Sequence, residues 1–404
     1  MKVLVVCQYY YPEPVRITDI CEELVRMGND VTVLTDIPNY PMGEIYDGYK
    51  NIKDETINGV KVHRCYTIPR KTGAIRRLLN YYSFAISSSM HINKLKDDFD
   101  VVFVNQLSPV LMAKAGIKYK KKYNKKLVLY SLDLWPESLT VGGIKKESLI
   151  FKYFYKVSKR IYTSVDKLLI TSKEFKNYFI ENFNISEDKI EYLPQYAESL
   201  FNPDICKKKK NRKVDLMFAG NIGVAQSIDT ILDAALELKD YKNLYWHIVG
   251  DGKEYERLVK KAKDNNLDNI IFYGRMPVEK MPEMYSKADA MLVTLQGGSL
   301  ISKTLPGKVQ SYMAAGKAII GAIDGETKTI IEEAKCGFCG KADNISELID
   351  NVKRFINCKN KEKLEENSYN YYIKNFEKKK FMNQLVNVLK KEGKLKWVYL
   401  KEKH

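Results

Sequence analysis

Short, continuous apolar runs recur along this chain at intervals long enough for a helix, and this alternation limits the possible fold more than any other feature. The runs of the first half are KVLVV, DVTVLT, VKVHRCYTI, DVVFVN, KLVLYS and DKLLITS. Those of the second half are DLMFAG, LYWHIVG, IIFYG, AMLVTL and AIIGA. Continuous β-rich runs separated by helical lengths are typical of parallel sheets covered on both faces. The pattern predicts an α/β protein with two sets of strands.

The two sets are separated by the segment IEYLPQYAESLFNPDICKKKKNRKVD, whose prolines, polar residues and lysines are typical of a linker or solvated loop. A chain of 404 residues also exceeds what one hydrophobic core usually serves. We therefore predict a first domain over 1–195 and a second over 196–375, with a ligand in the cleft between them. The final segment, about 376–404, is predicted to be helical and to pack back on the first domain.

The formal net charge of +17 predicts an anionic partner, which could be nucleic acid, an acidic membrane surface or a phosphorylated small molecule. The stretch 61–80 has six basic and no acidic residues, and 111–130 has seven basic and none acidic. The apolar start before Gln8 is too short for a signal peptide, and no run approaches the ~18 apolar residues of a spanning helix. We therefore expect a cytoplasmic protein.

Seven scattered cysteines fit reduced thiols in that compartment. Cys336 and Cys339 form a CxxC, but without a second pair or a nearby histidine they indicate a strand edge rather than a zinc site.

Four glycine-bearing turns follow apolar runs in the second half, although the first strand lacks the GxGxxG of dinucleotide-binding folds. They lie at Phe218–Gly223, Val249–Gly252, Tyr273–Arg275 and Leu305–Lys308. Each is weak evidence alone, because tight packing of a helix on a sheet also requires such turns. Together they could collect at one sheet edge and hold a nucleoside diphosphate through backbone amides.

The stretch LPGKVQSYMAAGKAIIG contains the most informative of these turns. Pro306 and Gly307 break the chain, 308–315 fits two helical turns that Gly316 can end, and 318–320 can begin a buried strand. Lys308 at the start of a helix opposes the helix dipole unless an anion lies beside it. We therefore expect Lys308 to contact a bound anion, the alternative being a solvated lysine.

The order of these motifs resembles family 4 of the GT-B glycosyltransferases. The resemblance extends over nearly the whole chain, including YYYPEPVR, PNYPMGEIYDGY, SLDLWPES and TSKEFKNYF in the first domain. Together these motifs resemble the branch of the family that contains the N-acetyl-L-fucosaminyltransferases of bacterial surface polysaccharides. It implies a GT-B fold, with two facing Rossmann-like domains and a substrate cleft between them. It also implies transfer of a sugar from a nucleotide donor with retention at the anomeric carbon, with no metal and no other cofactor.

The resemblance implies a donor site in the second domain, with a catalytic role for Lys308 in stabilising the leaving diphosphate. The expected donor-binding residues are Gly220, Asn221, Ile222, Gly223, Gln226, Gly250, Arg275, Met276, Lys303, Thr304, Leu305, Pro306, Gly307 and Ser311. Lys303 and Ser311 stand where many members have glutamates, and Asn221 and Gln226 where members usually have Arg and Lys. Ser311 could still hydrogen-bond a hydroxyl group.

In the first domain, Asp133 follows a predicted strand and is our candidate for the catalytic carboxylate, with capping of the next helix as the alternative. Many relatives have a histidine where this chain has Leu132. Glu13 and Arg16 are expected to contact the acceptor, or else to cap a helix or form an ion pair. The DxD at 98–100 precedes a strand and is expected to begin it rather than to bind metal.

Two predicted helices, AIRRLLNYYSFAISSSMHI and LIFKYFYKVSKRIY, interleave basic with aromatic and apolar residues. They could lie on an anionic bilayer or pack in the core. We expect a nucleotide-sugar donor, a polyprenyl-diphosphate-linked glycan acceptor, association with the inner face of the plasma membrane, and no nucleic acid. A sugar-nucleotide 2-epimerase and a non-catalytic nucleotide-sugar-binding protein are the alternatives.

Overall fold

The structure is a computed structural model that describes residues 1–71, 73–95, 97–141, 143–209, 211–298 and 304–394. The chain divides into two compact units. The first unit is Met1–Leu193 together with the chain from Met382 onward, and the second unit is Pro194–Phe381.

An eight-stranded sheet forms the centre of the first unit. Its strands are β1 (Lys2–Val6), β2 (Asp30–Asp36), β3 (Asp54–Ile57), β4 (Val60–Cys65), β5 (Val101–Gln106), β6 (Lys126–Ser131), β7 (Lys167–Ile170) and β8 (Ile190–Tyr192). The spatial order is β3-β4-β2-β1-β5-β6-β7-β8, and all neighbours are parallel except β3 and β4. Connections leave β1 in both directions, so the switch point lies between β1 and β5.

Helices connect and cover these strands. They are α1 (Ile17–Arg26), α2 (Ala74–His91), α3 (Ala113–Tyr123), α4 (Ser138–Val141), α5 (Leu149–Tyr162) and α6 (Glu174–Phe183). The C-terminal α15 (Lys378–Lys394) reaches the edge strand β8, where Gln384 Nε2 donates to Glu191 Oε1 and to Tyr192 O, both at 2.9 Å.

The sheet of the second unit is six-stranded and entirely parallel. Its strands are β9 (Val214–Ala219), β10 (Leu244–Val249), β11 (Ile270–Gly274), β12 (Ala290–Thr294), β13 (Ala318–Ala322) and β14 (Gly337–Gly340), in the order β11-β10-β9-β12-β13-β14. This is the doubly wound order of dinucleotide-binding folds, with the switch point between β9 and β12.

Helices lie on both faces of this sheet, so the inner strands β9, β10, β12 and β13 are buried on both sides. They are α7 (Pro203–Cys206), α8 (Ile228–Glu237), α9 (Tyr255–Asp264), α10 (Met281–Tyr285), α11 (Gly307–Ala314), α12 (Gly325–Ala334), α13 (Ile345–Ile356) and α14 (Lys361–Asn375). Leu216 and Phe218 of β9 enter one core, whereas Met217 and Ala219 enter the other. This burial explains why the strand reads as a continuous apolar run.

The apolar runs of the sequence correspond to strands, but three strands lie outside them. β3 is an antiparallel edge strand, so the first sheet is not wholly parallel. β8 occupies IEY, which the sequence assigned to the linker, because a three-residue strand before a proline has no distinctive pattern. β14 contains Cys339 of the CxxC. No helix in the described part of the chain is both long enough and apolar enough to cross a membrane.

Candidate functional site

The carboxyl ends of β9, β10 and β11 are joined by backbone hydrogen bonds between their loops. The Gly220 N–H donates to Val249 O at 3.0 Å, and the Gly250 N–H donates to Gly274 O at 2.9 Å. A Cβ on Gly250 would lie 1.8 Å from Gly220 O, so only glycine fits there, at φ +137°. The glycine turns therefore meet at one sheet edge.

The Gly220 loop uses most of its amide groups within the protein. Besides Gly220, Ile222 donates its N–H to Asp251 O at 2.9 Å, and the Gly223 N–H donates to Gln226 Oε1 at 3.1 Å. Gln226 Oε1 also accepts from Asn221 Nδ2 at 3.1 Å. The sequence suggested that amides of this turn could bind a phosphate, but in the structure those of Gly220, Ile222 and Gly223 hold the loop together.

Helix α11 supplies the free donors instead. Its N-cap is Pro306, which provides no side-chain cap, and the N–H groups of Gly307 and Lys308 have no acceptor among the residues that the structure describes. Tyr312 ties this helix to the end of β9, because its hydroxyl lies 3.0 Å from both the N and the O of Ala219. The amino end of α11 is thus fixed beside Gly220, as an anion site requires.

The Lys308 ammonium is buried, and no residue that the structure describes supplies a counter-ion. Its Nζ lies 3.7 Å from the centroid of the Phe218 ring and has no hydrogen-bond partner in the described part of the chain. A Cβ on Gly220 would approach Nζ to 2.7 Å, which locates the ammonium against this glycine. Burial lowers the pKa of Lys308 to about 7. An unpaired buried cation is unfavourable, so the position favours an anionic ligand.

The other predicted donor-site residues vary in their placement. Arg275 is exposed and makes no ion pair with a described residue, while Met276 packs against the core. Leu305 is 8% exposed and anchors the loop before α11, and Thr304 is partly buried. Lys303 lies outside the described residues.

Ser311 faces a carboxylate on a neighbouring segment. Its hydroxyl is 3.2 Å from Glu198 Oε2 and 3.3 Å from Gly307 O, and can donate to either. Sequence reasoning missed Glu198, because nothing in the linker-like sequence around it distinguishes this glutamate.

In the first unit, Glu13 organises the loops after β1 and β2. Its carboxylate accepts N–H groups from Tyr10 at 3.0 Å, Asn39 at 2.8 Å and Tyr40 at 2.7 Å. Glu13 is only 3% exposed, and burial raises its pKa to about 7. The carboxylate is turned inwards onto three backbone N–H groups, and contact of Glu13 with an acceptor stays a prediction. Arg16 itself is part-buried immediately before α1.

Asp133 is held by the loop after β5. Ser108 donates to Asp133 Oδ2 from its N–H at 3.2 Å and from its hydroxyl at 2.8 Å, and Trp135 Nε1 donates to Ser108 Oγ at 2.9 Å. Burial raises the pKa of Asp133, and these bonds oppose the shift in part. Asp133 Oδ1 accepts no hydrogen bond from a described residue, so one carboxylate oxygen is oriented and the other is available. The hydrogen bonds that the Asp133 carboxylate makes with described residues are with Ser108, and not with the helix that follows Asp133, which the capping alternative required.

An arginine surrounded by tyrosines lies close to Asp133. Arg70 lies 5.8 Å from the ring centroids of both Tyr40 and Tyr81, and donates to the Tyr9 hydroxyl at 3.3 Å. Its charge acts on Asp133 and tends to lower the pKa of that carboxyl. Sequence reasoning missed Arg70 and Ser108, although Ser108 follows the strand next to the switch point, where a ligand is expected.

The predicted DxD carboxylates lie immediately before β5, and Asp100 Oδ2 accepts the Lys2 N–H at 2.7 Å. Within the described residues, no group of three His, Cys, Asp or Glu side chains is arranged to hold a metal ion.

Two family models match this chain in succession. Glycosyltransferase Family 4 matches residues 14–195, and Glycosyl transferases group 1 matches residues 204–379. These matches and the two doubly wound units define the class: the chain is a GT-B glycosyltransferase of family 4.

Particular relatives share this class. The chain is 26% identical over 349 residues to WcaI of Escherichia coli (strain K12), a glycosyl transferase assigned to colanic acid biosynthesis, with 80% of this chain and 83% of WcaI covered. It is 25% identical over 307 residues to the glycosyltransferase WbjE of Pseudomonas aeruginosa, covering 71% and 75%. The crystal structure of Anabaena Alr3699/HepE in complex with UDP and glucose superposes with a TM-score of 0.70 at 13% identity, covering 97% of this chain and 100% of HepE. At that identity the likeness concerns the fold alone.

Proposed function

We propose that this glycosyltransferase transfers a sugar from a UDP-linked donor to a lipid-linked glycan, with retention at the anomeric carbon and without a metal, in the biosynthesis of a capsule, O-antigen or related polysaccharide. The observation that carries the proposal is the buried Lys308 ammonium, which lies beside Gly220 and has no counter-ion among the described residues. A nucleoside diphosphate has the charge that this position lacks.

The donor diphosphate would bind at the amino end of α11. The N–H groups of Gly307 and Lys308 and the ammonium of Lys308 would face its oxygens, and their positive potential would stabilise the charge that develops as the glycosidic bond breaks. Arg275 and Met276 follow β11, where backbone groups could contact the base. UDP as the nucleotide is supported by the complex of Alr3699/HepE with UDP. An N-acetylated or deoxy sugar is supported by the resemblance to the fucosaminyltransferase branch.

Asp133 would orient a hydroxyl of the donor sugar or of the acceptor. Ser108 fixes one oxygen of this carboxylate, which leaves Oδ1 to accept a hydrogen bond from the substrate. Asp133 belongs to the first unit and Lys308 to the second.

The acceptor side of the proposal concerns a surface of α2 and α5, which we call the α2/α5 surface. The Tyr82 and Tyr153 hydroxyls lie 3.0 Å apart and link the two helices. The surface carries seven exposed apolar residues: Ile75, Leu79, Ile86, Met90, Leu149, Ile150 and Tyr153. The same helices carry the exposed basic residues Arg76, Arg77, Lys152 and Lys156. Apolar and basic groups together suit an anionic bilayer, in which a polyprenyl-diphosphate acceptor would lie. We further propose that this location is the inner face of the plasma membrane.

One assay tests the function. The protein is incubated with a panel of UDP- and GDP-sugars, with and without membranes that contain lipid-linked glycans. A lipid-linked product, whose anomeric configuration is then determined by NMR, supports the proposal. A soluble epimer formed without membranes would instead identify a 2-epimerase, and the absence of both would indicate a binding protein. Loss of activity with a chelator and its recovery with manganese would contradict the metal-independent mechanism.

A further inference from the structure

The segment Pro194–Phe201 passes beside α11 and contributes a carboxylate to it. Ser311 is 7% exposed, and its hydroxyl lies 3.2 Å from Glu198 Oε2. The segment is firmly placed, because Tyr196 and Ala197 are each 2% exposed. Glu198 itself is only partly buried. Its carboxylate therefore has a fixed location with access to solvent.

Glu198 lies close to the proposed diphosphate site. Ser311 is one helical turn after Lys308 on α11, which is roughly 5 Å along the helix axis. The same segment also runs past the first residue of the helix, since Gln195 Oε1 would be 3.9 Å from a Cβ on Gly307. A ligand with phosphates at the amino end of α11 would thus have its neighbouring groups within reach of Glu198.

The chemistry of a carboxylate selects which of those groups it contacts. A carboxylate repels phosphate oxygens and accepts strong hydrogen bonds from hydroxyl groups. A nucleotide-sugar carries hydroxyls on both sides of its diphosphate, on the ribose and on the transferred sugar. The proposed function places Asp133 at the transferred sugar or the acceptor, which leaves the ribose for Glu198. We propose that Glu198, held by Ser311, binds the ribose hydroxyls of the donor nucleotide. This inference rests on the proposed donor site. Many family members have a glutamate where this chain has Ser311, and here Glu198, which lies outside α11, would supply the carboxylate instead.

The inference is tested by calorimetric titration of the full chain with UDP, 2′-deoxy-UDP and 3′-deoxy-UDP. A hydrogen bond to a charged group is worth roughly tenfold or more in affinity. We expect the unmodified protein to prefer UDP by about that factor over at least one of the deoxy nucleotides. Glu198→Gln should weaken UDP binding by roughly tenfold while leaving binding of that deoxy nucleotide unchanged. Glu279→Gln, an exposed change in the same unit, should alter none of these affinities.

A carboxylate exchange tests position rather than identity. The double variant Glu198→Ser with Ser311→Glu returns a carboxylate to the same place from the other segment, so it should recover most of the preference for UDP. If Glu198→Gln keeps the full preference, or weakens all three nucleotides equally, the inference is wrong while the donor site stands. If the unmodified protein binds none of the three nucleotides and no GDP, the proposed donor site itself is wrong.

Discussion

At the scale of single residues, Lys308 shows how a sequence signal and a structural one combine. The Pro-Gly turn indicated that a lysine begins a helix, and the structure adds that its Nζ is buried against Phe218, with no hydrogen-bond partner in the described ranges. A solvated lysine at a helix start, the alternative from sequence, does not describe this side chain. The energetic cost of the buried cation would be offset when an anion binds.

Lys308→Ala should weaken UDP binding by about 100-fold, the scale of a sheltered charge-assisted contact, and should lower turnover. Lys263→Ala, an exposed lysine of the same unit, should change affinity less than twofold. Calorimetry and initial rates measure both effects. Equal, small effects of the two substitutions would remove Lys308 from the mechanism.

The lowered pKa of Lys308, about 7, also predicts a pH dependence of binding. Above pH 7 the free protein holds a neutral amine that must gain a proton to pair with the diphosphate. UDP affinity should therefore fall by up to tenfold per unit as the pH rises from 7 to 9, with proton uptake on binding. Titrations in buffers of different ionisation enthalpy measure the uptake. The Lys308→Ala variant shows how much of this uptake belongs to Lys308. If the variant takes up as many protons as the unmodified protein, Lys308 is not the group that is protonated on binding.

At the scale of elements, the two sheets bring their loops together by different means. In the second unit, glycines allow backbone to touch backbone, as where Gly250 meets the carbonyl of Gly220. In the first unit, the buried Glu13 joins the loops after β1 and β2 through three amide groups. The loop contacts of the second unit therefore require glycines, which have no side chain, whereas those of the first unit depend on the carboxylate of Glu13.

Gly250→Ala should destabilise the second unit by about 3 kcal/mol and abolish UDP binding, because the added Cβ would overlap the Gly220 carbonyl. Gly28→Ala is the matched control, since Gly28 also has a positive φ, of +80°, but a Cβ there meets nothing within 4 Å. It should cost about 1 kcal/mol and leave binding intact. Urea denaturation and calorimetry distinguish the two. Similar costs for both would show that steric overlap is not what requires glycine at 250.

Glu13 predicts how the stability of the first unit varies with pH. Burial raises the pKa of Glu13 from 4.5 to about 7. Burial also raises the pKa of the nearby Asp36 carboxyl. Between these values the folded state binds a proton that the unfolded state does not, so stability decreases as the pH rises from about 4.5 to 7. We expect the loss from Glu13 to be on the order of a few kcal/mol.

Glu13→Gln should remove that part of the decrease, whereas Glu44→Gln, an exposed change in the same unit, should not. Urea denaturation at pH 5 and 8, followed by hydrogen exchange in peptides from Met1–Leu193, measures the effect. An unchanged pH dependence in Glu13→Gln would assign the titration to another group.

At the scale of the whole molecule, the structure shows which unit carries the basic stretches that contribute to the net charge of +17. Both basic stretches counted in the sequence belong to the first unit, which also carries the exposed apolar residues of the α2/α5 surface. Side chains of these helices such as Tyr81, Phe84 and Phe154 pack inwards, as the core alternative expected, whereas others remain exposed.

Binding to vesicles that contain anionic lipid should therefore exceed binding to neutral vesicles, and should weaken as salt rises from about 0.05 to 0.5 M through screening. Leu149→Ser with Ile150→Ser should reduce binding several-fold without unfolding the protein, because these side chains are 84% and 51% exposed. Ile205→Ser, exposed in the second unit, is the control. Sedimentation with vesicles measures all three, and binding that ignores both lipid charge and salt would contradict the proposed membrane surface.

The sequence alone determined the α/β class, the parallel strands of the interior and the helix after Pro306, because buried strands and helix boundaries leave local signatures in apolar runs, glycines and prolines. Edge strands such as β3 and β8 left none, since they are short and half exposed. Only the tertiary structure decided which polar groups meet. The contacts of Glu198 with Ser311, and of Ser108 with Asp133, join residues 113 and 25 positions apart. No local pattern encodes such pairs, because they depend on how distant segments pack.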